Sequence, residues 1–273
     1  MKQRLLVAFV GVPFLLWILF RNPPWFTIAG TAILAGIATV EFLHVSAPRI
    51  PSPLCAAAAL FAGLQTVLLS LYAAEYRVLL YYCAGAAALL FLWSLISVFR
   101  YNVGKQAVPF ERLYRFLMTL CGFPVFFSAV SLLRCAGDLG SAYAAAPFAV
   151  AFCGDACSMF GGMLFGREKL APQVSPKKTW AGAVTGVFGG AVGMLLYCWL
   201  GSRWEKLWVC AIVGCFANCF GQIGDLSMSV VKREYGAKDY GNLFLAHGGV
   251  LDRFDSLMFI APVLLFSMQG GLL

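Results

Sequence analysis

Long apolar runs recur along the whole chain, and they limit its fold more than any other feature. A helix needs about 20 consecutive apolar residues to cross the hydrocarbon core of a bilayer, and runs near this length recur from end to end of the 273 residues. Charged residues make up only 12% of the chain, against about 25% in a typical soluble domain. The sequence therefore predicts an all-α, polytopic transmembrane helical bundle.

The apolar runs leave no room for a separate soluble domain, so we expect one integral membrane domain over residues 1–273. It divides into N-terminal spans in 1–140 and C-terminal spans in 141–273. The runs predict about nine spans, at 5–20, 25–43, 54–74, 78–99, 116–133, 142–165, 181–200, 207–231 and 250–271.

The positive charges indicate how these spans are oriented. With a cytoplasmic N-terminus, the loops alternate so that all but five of the 20 Lys and Arg residues lie on the cytoplasmic side, as the positive-inside rule requires. We therefore expect a multi-pass protein of the cell (inner) membrane with a polar site between its C-terminal helices that faces the cytoplasm. The basic residues border spans instead of forming a soluble patch, which argues against a nucleic-acid partner and favours contact with anionic membrane lipids.

Three glycines in the seventh predicted span are spaced four residues apart: Gly182, Gly186 and Gly190. This spacing lets another helix approach closely. It favours packing within the chain, with a homodimer as the alternative.

Five acidic residues lie in or at the edges of predicted spans. A carboxylate at the centre of a bilayer costs about 2.5–3.5 kcal/mol on insertion scales, so each is a functional hypothesis by default. They are Glu41, Asp155, Asp225, Asp252 and Asp255.

The eighth predicted span carries polar residues at steps of three and four, which match the helical period and form one polar stripe. The stripe comprises Asn218, Gln222, Asp225, Ser229, Lys232 and Arg233. In the ninth span, Asp252 and Asp255 share a face. Two carboxylates this close favour a cation between them, and a hard divalent cation that also binds Asp225 meets this need. The alternative is that both acids only complement the helix dipole.

Cations and glycines surround these acids, namely Lys177, Lys178, Lys232, Arg233, Lys238, His247, Gly248 and Gly249. Backbone N–H groups beside glycine and several cations can bind phosphate oxygens, although interfacial loops are basic for orientation alone. Together with the acids they suggest metal-assisted phosphoryl or nucleotidyl transfer. His247 is open to three roles: a general base, a phosphate ligand or a partner of a backbone carbonyl.

Three segments carry a family resemblance: SVVKREYGAKDYGNLFLAHGGVLDRFD (Ser229–Asp255), LFGREKLAPQVSPKKTWAG (Leu164–Gly182) and GQIGDLS (Gly221–Ser227). They resemble the signature segments of the phosphatidate cytidylyltransferases, or CDP-diacylglycerol synthases. The chain departs from that pattern at Ala181 and Met228, where the family has Glu, and at Leu245 and Ala246, where it has Pro-Gly.

The resemblance implies transfer of CMP from CTP to phosphatidic acid, which gives CDP-diacylglycerol and pyrophosphate. It implies Mg²⁺ on Asp225, Asp252 and Asp255, and leaves a second cation open. The implied catalytic residues are these three acids with Lys232 and His247. The implied phosphate-binding set is Ser175, Lys177, Lys178, Ser229, Arg233, Lys238, Asp239, Gly248, Gly249 and Arg253.

Two alternatives to this function remain at the level of sequence. One is a related CTP-dependent lipid kinase, or a cytidylyltransferase for another lipid phosphate. The other is a transporter or channel, which also tolerates intramembrane acids. A transporter is expected to carry polar residues through the whole membrane depth, whereas here they gather at one face.

Overall fold

The structure, a computed structural model, describes residues 23–72, 110–137, 140–200, 206–244 and 248–272, together with 17, 18 and 20. Its elements in chain order are α1 (Pro24–Ser46), α2 (Ser52–Tyr72), α3 (Phe110–Leu117), a π-helical turn (Met118–Gly122), α4 (Phe123–Arg134), α5 (Gly140–Phe165), β1 (Lys169–Ala171), β2 (Ser175–Thr179), α6 (Trp180–Leu200), α7 (Leu207–Glu234), α8 (Leu251–Phe254) and α9 (Leu257–Gln269). The predicted all-α class is confirmed. The short β hairpin was not predicted.

Six helical segments in the described ranges are long and apolar enough to cross a membrane. Each coincides with a predicted span: Pro24–Ser46, Ser52–Tyr72, Glu111–Arg134, Gly140–Phe165, Trp180–Trp199 and Leu207–Glu234. The predicted spans 5–20 and 78–99 lie largely or wholly outside the described residues. The protein is therefore a multi-pass membrane protein, while the count of nine and the orientation stay predictions.

The last predicted span, 250–271, is divided into α8 and α9. Asp255 lies at the break, where its Oδ1 accepts a hydrogen bond from the backbone N–H of Ser256 at 2.8 Å. Such local bonds from Asp side chains compete with the helical backbone pattern. The 13 residues of α9 are about 20 Å long, shorter than the hydrocarbon core.

The described residues form two compact units, one within 28–128 and the other within 1–27 and 129–273. In the first, α1 and α2 approach closely at two glycines. A Cβ on Gly36 would lie 3.2 Å from the carbonyl oxygen of Ala59, and one on Gly63 would lie 3.2 Å from that of Ala32. The prediction of a single domain over the whole chain stays a prediction.

The second unit, called the C-terminal unit below, packs α6 between α5 and α7, with α9 against α7. A Cβ on Gly182 would lie 2.8 Å from the carbonyl oxygen of Ser158 on α5, and one on Gly190 would overlap the carbonyl oxygen of Gly214 on α7. A Cβ on Gly186 would overlap the Ser158 hydroxyl. The predicted packing of the glycine face within the chain is therefore confirmed.

The hairpin lies between α5 and α6. Its strands are antiparallel, with Lys169 paired to Thr179 and Ala171 paired to Ser175. The hydroxyl of Thr179 accepts a hydrogen bond from the backbone N–H of Gly182 at 3.1 Å, which satisfies one free donor at the start of α6. The end of the hairpin is thereby joined to the first turn of α6.

The segment after α7 begins with a turn at Gly236, whose φ is +69°. The N–H of Gly236 donates to the Arg233 carbonyl at 3.0 Å, and the N–H of Ala237 donates to the Lys232 carbonyl at 2.8 Å. This pair of bonds is a Schellman motif, in which glycine at the left-handed position ends the helix. The chain then leads toward α8.

Gly248 has a φ of +81°, and a Cβ on it would lie 2.8 Å from Oδ2 of Asp252. Gly248→Ala is therefore expected to lower the free energy of unfolding by about 2 kcal/mol, from backbone strain and contact with the carboxylate. Gly236→Ala is the matched control, because its φ is also positive but nothing lies within 4 Å of a Cβ there. Thermal unfolding in detergent measures both, and equal losses would contradict a steric contribution at Gly248.

Candidate active site

A cavity of about 450 Å³ lies in the C-terminal unit, among α5, the hairpin, α6, α7 and the start of α9. Its size falls within the usual range of about 300–1,000 Å³ for small-molecule sites. Apolar side chains such as Met159, Leu170 and Ile260 form part of the wall. The polar side chains that line it are Asp155, Ser158, Lys169, Lys177, Lys178, Thr179, Asn218, Gln222, Asp225 and Ser256.

Asp225 is the central acid of this cavity, with a side chain 31% exposed. Its Oδ2 lies 2.5 Å from Nζ of Lys178, and the hydroxyl of Ser229 donates to its Oδ1 at 3.4 Å. Asp155 and Asp255 each interact electrostatically with Asp225. Two further carboxylates within electrostatic range of Asp225 create a need for cations, because like charges repel.

Two amides extend the polar wall along α7. Nε2 of Gln222 donates to Oδ1 of Asn218 at 2.8 Å and to the Ala183 carbonyl at 3.0 Å, and Nδ2 of Asn218 donates to the Val150 carbonyl at 3.5 Å. These bonds connect α7 to α6 and α5. Three members of the predicted polar stripe, Asn218, Gln222 and Asp225, line one cavity, whereas Ser229, Lys232 and Arg233 do not line it.

Three lysines from the hairpin line the cavity: Lys169, Lys177 and Lys178. Lys169 and Lys177 are exposed, while Lys178 forms the ion pair with Asp225. The predicted contact Ser175 lies in the same strand as Lys177, is half-buried and does not line the cavity. Exposed ammonium groups near carboxylates suit a ligand that carries phosphates and a metal ion together.

A second group of predicted residues meets beside this cavity. Oδ1 of Asp252 accepts a hydrogen bond from Nζ of Lys232 at 2.8 Å. Oδ2 of Asp252 accepts from the backbone N–H groups of Tyr240 at 2.7 Å and of Gly249 at 3.0 Å. Asp255 connects the two groups, because it interacts electrostatically with both Asp225 and Lys232.

The remaining predicted residues lie outside the lining of the cavity. Arg233 donates to the carbonyls of Val174 at 3.3 Å and Ala237 at 2.9 Å, so it ties the hairpin to the turn after α7. Lys238, Asp239 and Arg253 are exposed. His247 lies outside the described residues, and its role stays a prediction.

Two of the three acids predicted to bind Mg²⁺ have carboxylates that suit this ion. Within the described ranges, no three His, Cys, Asp or Glu side chains stand close enough to form a ready metal site. Mg²⁺ is usually bound by one or two carboxylates, waters and substrate phosphates. Asp225 with Asp255 fits this pattern, whereas both oxygens of Asp252 already accept hydrogen bonds.

The sequence matches the model of the cytidylyltransferase family over residues 2–269. The chain belongs to the cytidylyltransferase family. The predicted family resemblance is thus confirmed, and the match extends through the first half of the chain, where no motif was identified.

Several curated relatives of this cytidylyltransferase-family protein are named phosphatidate cytidylyltransferase. That of Brucella suis is 41% identical over 140 residues, which is 50% of this chain and 52% of the relative. That of Rickettsia bellii is 38% identical over 125 residues, 44% of this chain and 54% of the relative. That of Staphylococcus saprophyticus is 39% identical over 117 residues, 43% of this chain and 45% of the relative. The chain thus spans about half the length of the curated relatives it matches.

Sequence reasoning did not assign two charged residues of this family member's cavity to the site, Asp155 and Lys169. Asp155 already stood out as a carboxylate inside a span, and that cost was the signal that could have placed it in the site. Its position beside Asp225 depends on the packing of α5, α6 and α7, which one sequence does not specify. Lys169 had no signal beyond its charge.

Proposed function

We propose that this protein is a phosphatidate cytidylyltransferase, which transfers CMP from CTP to phosphatidic acid and forms CDP-diacylglycerol and pyrophosphate. Membership of the cytidylyltransferase family and the names of the relatives support this reaction. The observation that carries it is the cavity, where the acids Asp155 and Asp225 face the hairpin lysines Lys169 and Lys177 in a partly apolar wall.

The reaction needs two anionic substrates side by side. A phosphate oxygen of phosphatidic acid attacks the α-phosphorus of CTP, and the bond from that phosphorus to the bridging oxygen of pyrophosphate breaks. In our proposal Lys169 and Lys177 bind the phosphates, while Lys178 is shared between Asp225 and the developing charge. Preorganised cations of this kind stabilise a transition state because they need not reorient during the reaction.

In our proposal Asp225 and Asp255 hold Mg²⁺, with Asp155 nearby for a second cation. The ion would draw charge from the phosphoryl groups and from the leaving pyrophosphate. Ser256 lines the cavity and adds a hydroxyl oxygen, a type of donor that hard cations accept. The acids thereby orient the phosphates through the ion without direct contact between like charges.

We propose further that the protein lies in the cell (inner) membrane with this cavity toward the cytoplasm. CTP then arrives from water while the phosphatidic acid headgroup lies at the same depth. The exposed Phe188, Phe216 and Ile223 on α6 and α7 suit contact with lipid tails. A homodimer that buries part of this surface is a further proposal.

Incubation of the purified protein in detergent with labelled CTP, phosphatidic acid and Mg²⁺ tests the function. CDP-diacylglycerol and pyrophosphate are expected in equal amounts, and none without phosphatidic acid. A parallel incubation with diacylglycerol instead of phosphatidic acid distinguishes this reaction from that of a CTP-dependent kinase. A kinase would convert diacylglycerol and CTP to phosphatidic acid and CDP. Absence of CDP-diacylglycerol, with an active relative assayed in parallel, would reject the proposal.

A further inference from the structure

Asp252 is almost completely buried, with a side chain 3% exposed. Its two oxygens accept three hydrogen bonds, from Nζ of Lys232 and from the backbone N–H groups of Tyr240 and Gly249. A carboxylate has about four acceptor positions, so little of its capacity remains for another ligand. The four residues Asp252, Lys232, Tyr240 and Gly249 are called the loop node below.

Lys232 is likewise buried and held by contacts within the loop node. Its side chain is 10% exposed, and its ammonium lies 5.4 Å from the centre of the Tyr240 ring as well as 2.8 Å from Asp252. The Tyr240 hydroxyl donates to the Met228 carbonyl at 2.9 Å. One ammonium group therefore contacts a carboxylate and an aromatic face at once, and both contacts attract its positive charge.

One of the two glycines that precede α8, Gly249, also belongs to the loop node. The N–H of Gly249, which was predicted to bind phosphate, donates to Oδ2 of Asp252. A phosphate at that N–H would have to displace a carboxylate of the same charge sign. The Asp252 carboxylate thus already occupies the anion position at the N–H of Gly249.

Removing Asp252 from these contacts to bind a metal ion would be costly. It would leave a buried ammonium unpaired and two backbone N–H groups without an acceptor, and each of these is strongly unfavourable. Within the described residues, Asp255, three residues further on, accepts one such bond, from the N–H of Ser256, and interacts electrostatically with Asp225. Asp252 and Asp255 therefore differ in role.

We infer that Asp252 is a positioning residue that holds Tyr240, Gly249 and Lys232 in place, and that it is not a metal ligand. Through the start of α8 it fixes where Asp255 stands relative to Asp225. The inference deepens the proposed function and rests on it only where turnover is measured. Lys232 correspondingly balances the charge of Asp252 and does not bind a substrate phosphate.

Direct Mn²⁺ binding to purified variants, followed by electron paramagnetic resonance, separates the two roles without catalysis. Asp252→Asn is expected to keep its Mn²⁺ dissociation constant within threefold of the unmodified protein, whereas Asp225→Asn weakens binding at least tenfold. Glu234→Gln, an exposed change at the end of α7, serves as the control. Loss of Mn²⁺ binding in Asp252→Asn that equals the loss in Asp225→Asn would overturn the inference.

A double substitution tests the ion pair even if a single variant folds poorly. In Asp252→Asn the new amide group faces the ammonium of Lys232, and in Lys232→Met the carboxylate loses its charge partner. The double variant removes both charges, so its fall in unfolding temperature should be smaller than the sum of the two single falls. Lys232→Met with Glu234→Gln is the control, since residues two apart on a helix face different ways, and should be additive. If the falls in unfolding temperature were additive in both pairs, Asp252 and Lys232 would not be coupled, which would contradict the inference.

Hydrogen exchange on the unmodified full-length protein adds a test that needs no variant. The amides of Tyr240 and Gly249 should exchange at least 100-fold more slowly than unstructured peptide amides, because both donate to a buried carboxylate. Exchange at the unstructured rate would refute the inference. In the turnover assay, Asp252→Asn should lower kcat at least tenfold at an unchanged Mg²⁺ half-saturation, and full activity would exclude a positioning role.

Discussion

Asp225→Asn is expected to lower kcat for the proposed cytidylyl transfer by about 10³-fold, which corresponds to about 4 kcal/mol of transition-state stabilisation. The change keeps the size of the side chain but removes its charge. Lys178, whose Nζ lies 2.5 Å from Oδ2, loses its ion-pair partner, and the predicted metal site loses the acid that interacts with both Asp155 and Asp255. No other acid in the described part of the chain has this central position.

Rates of CDP-diacylglycerol formation, measured at saturating CTP and phosphatidic acid, check this expectation. Glu234→Gln is the control on the same helix, because Glu234 is exposed and does not line the cavity. The Asn218 and Gln222 bonds should survive in Asp225→Asn, so its thermal unfolding midpoint should stay within a few degrees of the unmodified protein. A variant that keeps more than a tenth of the original rate would contradict a central role for Asp225.

The membrane fold and the polar face of α7 could be predicted because both follow from periodicity. Apolar runs give the helices directly, and steps of three and four put Asn218, Gln222 and Asp225 on one side. The carboxylates of the last segment could not be separated by spacing alone, since Asp252 and Asp255 share a face in an ideal helix. Their different roles come from the chain between α7 and α8, which folds back and brings two N–H groups to Asp252.

Ala181 and Met228, the two positions where the family has glutamate, show what a sequence pattern can and cannot predict. Met228 is fully buried, and its carbonyl accepts a hydrogen bond from the Tyr240 hydroxyl. A packed apolar side chain therefore occupies this position. Ala181 lies in the first turn of α6, next to Gly182 of the cavity wall. The family pattern shows that a carboxylate is missing at these two positions. Which residues surround each position in its place can be seen only in the tertiary structure.

Gly190→Leu is expected to lower the thermal unfolding midpoint by about 10 °C, equivalent to about 3 kcal/mol, and to reduce turnover as well. The backbones of α6 and α7 touch at this point. A Cβ on Gly190 would overlap the carbonyl of Gly214 and lie 2.5 Å from Cβ of Asn218. Any side chain must therefore separate the two helices and displace Asn218, which bonds Gln222 in the cavity wall.

Gly30→Leu provides the matched control for this change, since nothing lies within 4 Å of a Cβ on that residue. The same glycine-to-leucine replacement in a membrane helix should there change the unfolding midpoint by no more than about 2 °C, as is usual for substitutions away from packed contacts. Both variants are compared by thermal unfolding in one detergent and by the turnover assay. Equal effects at Gly30 and Gly190 would mean that helix propensity, and not close backbone contact, accounts for the loss.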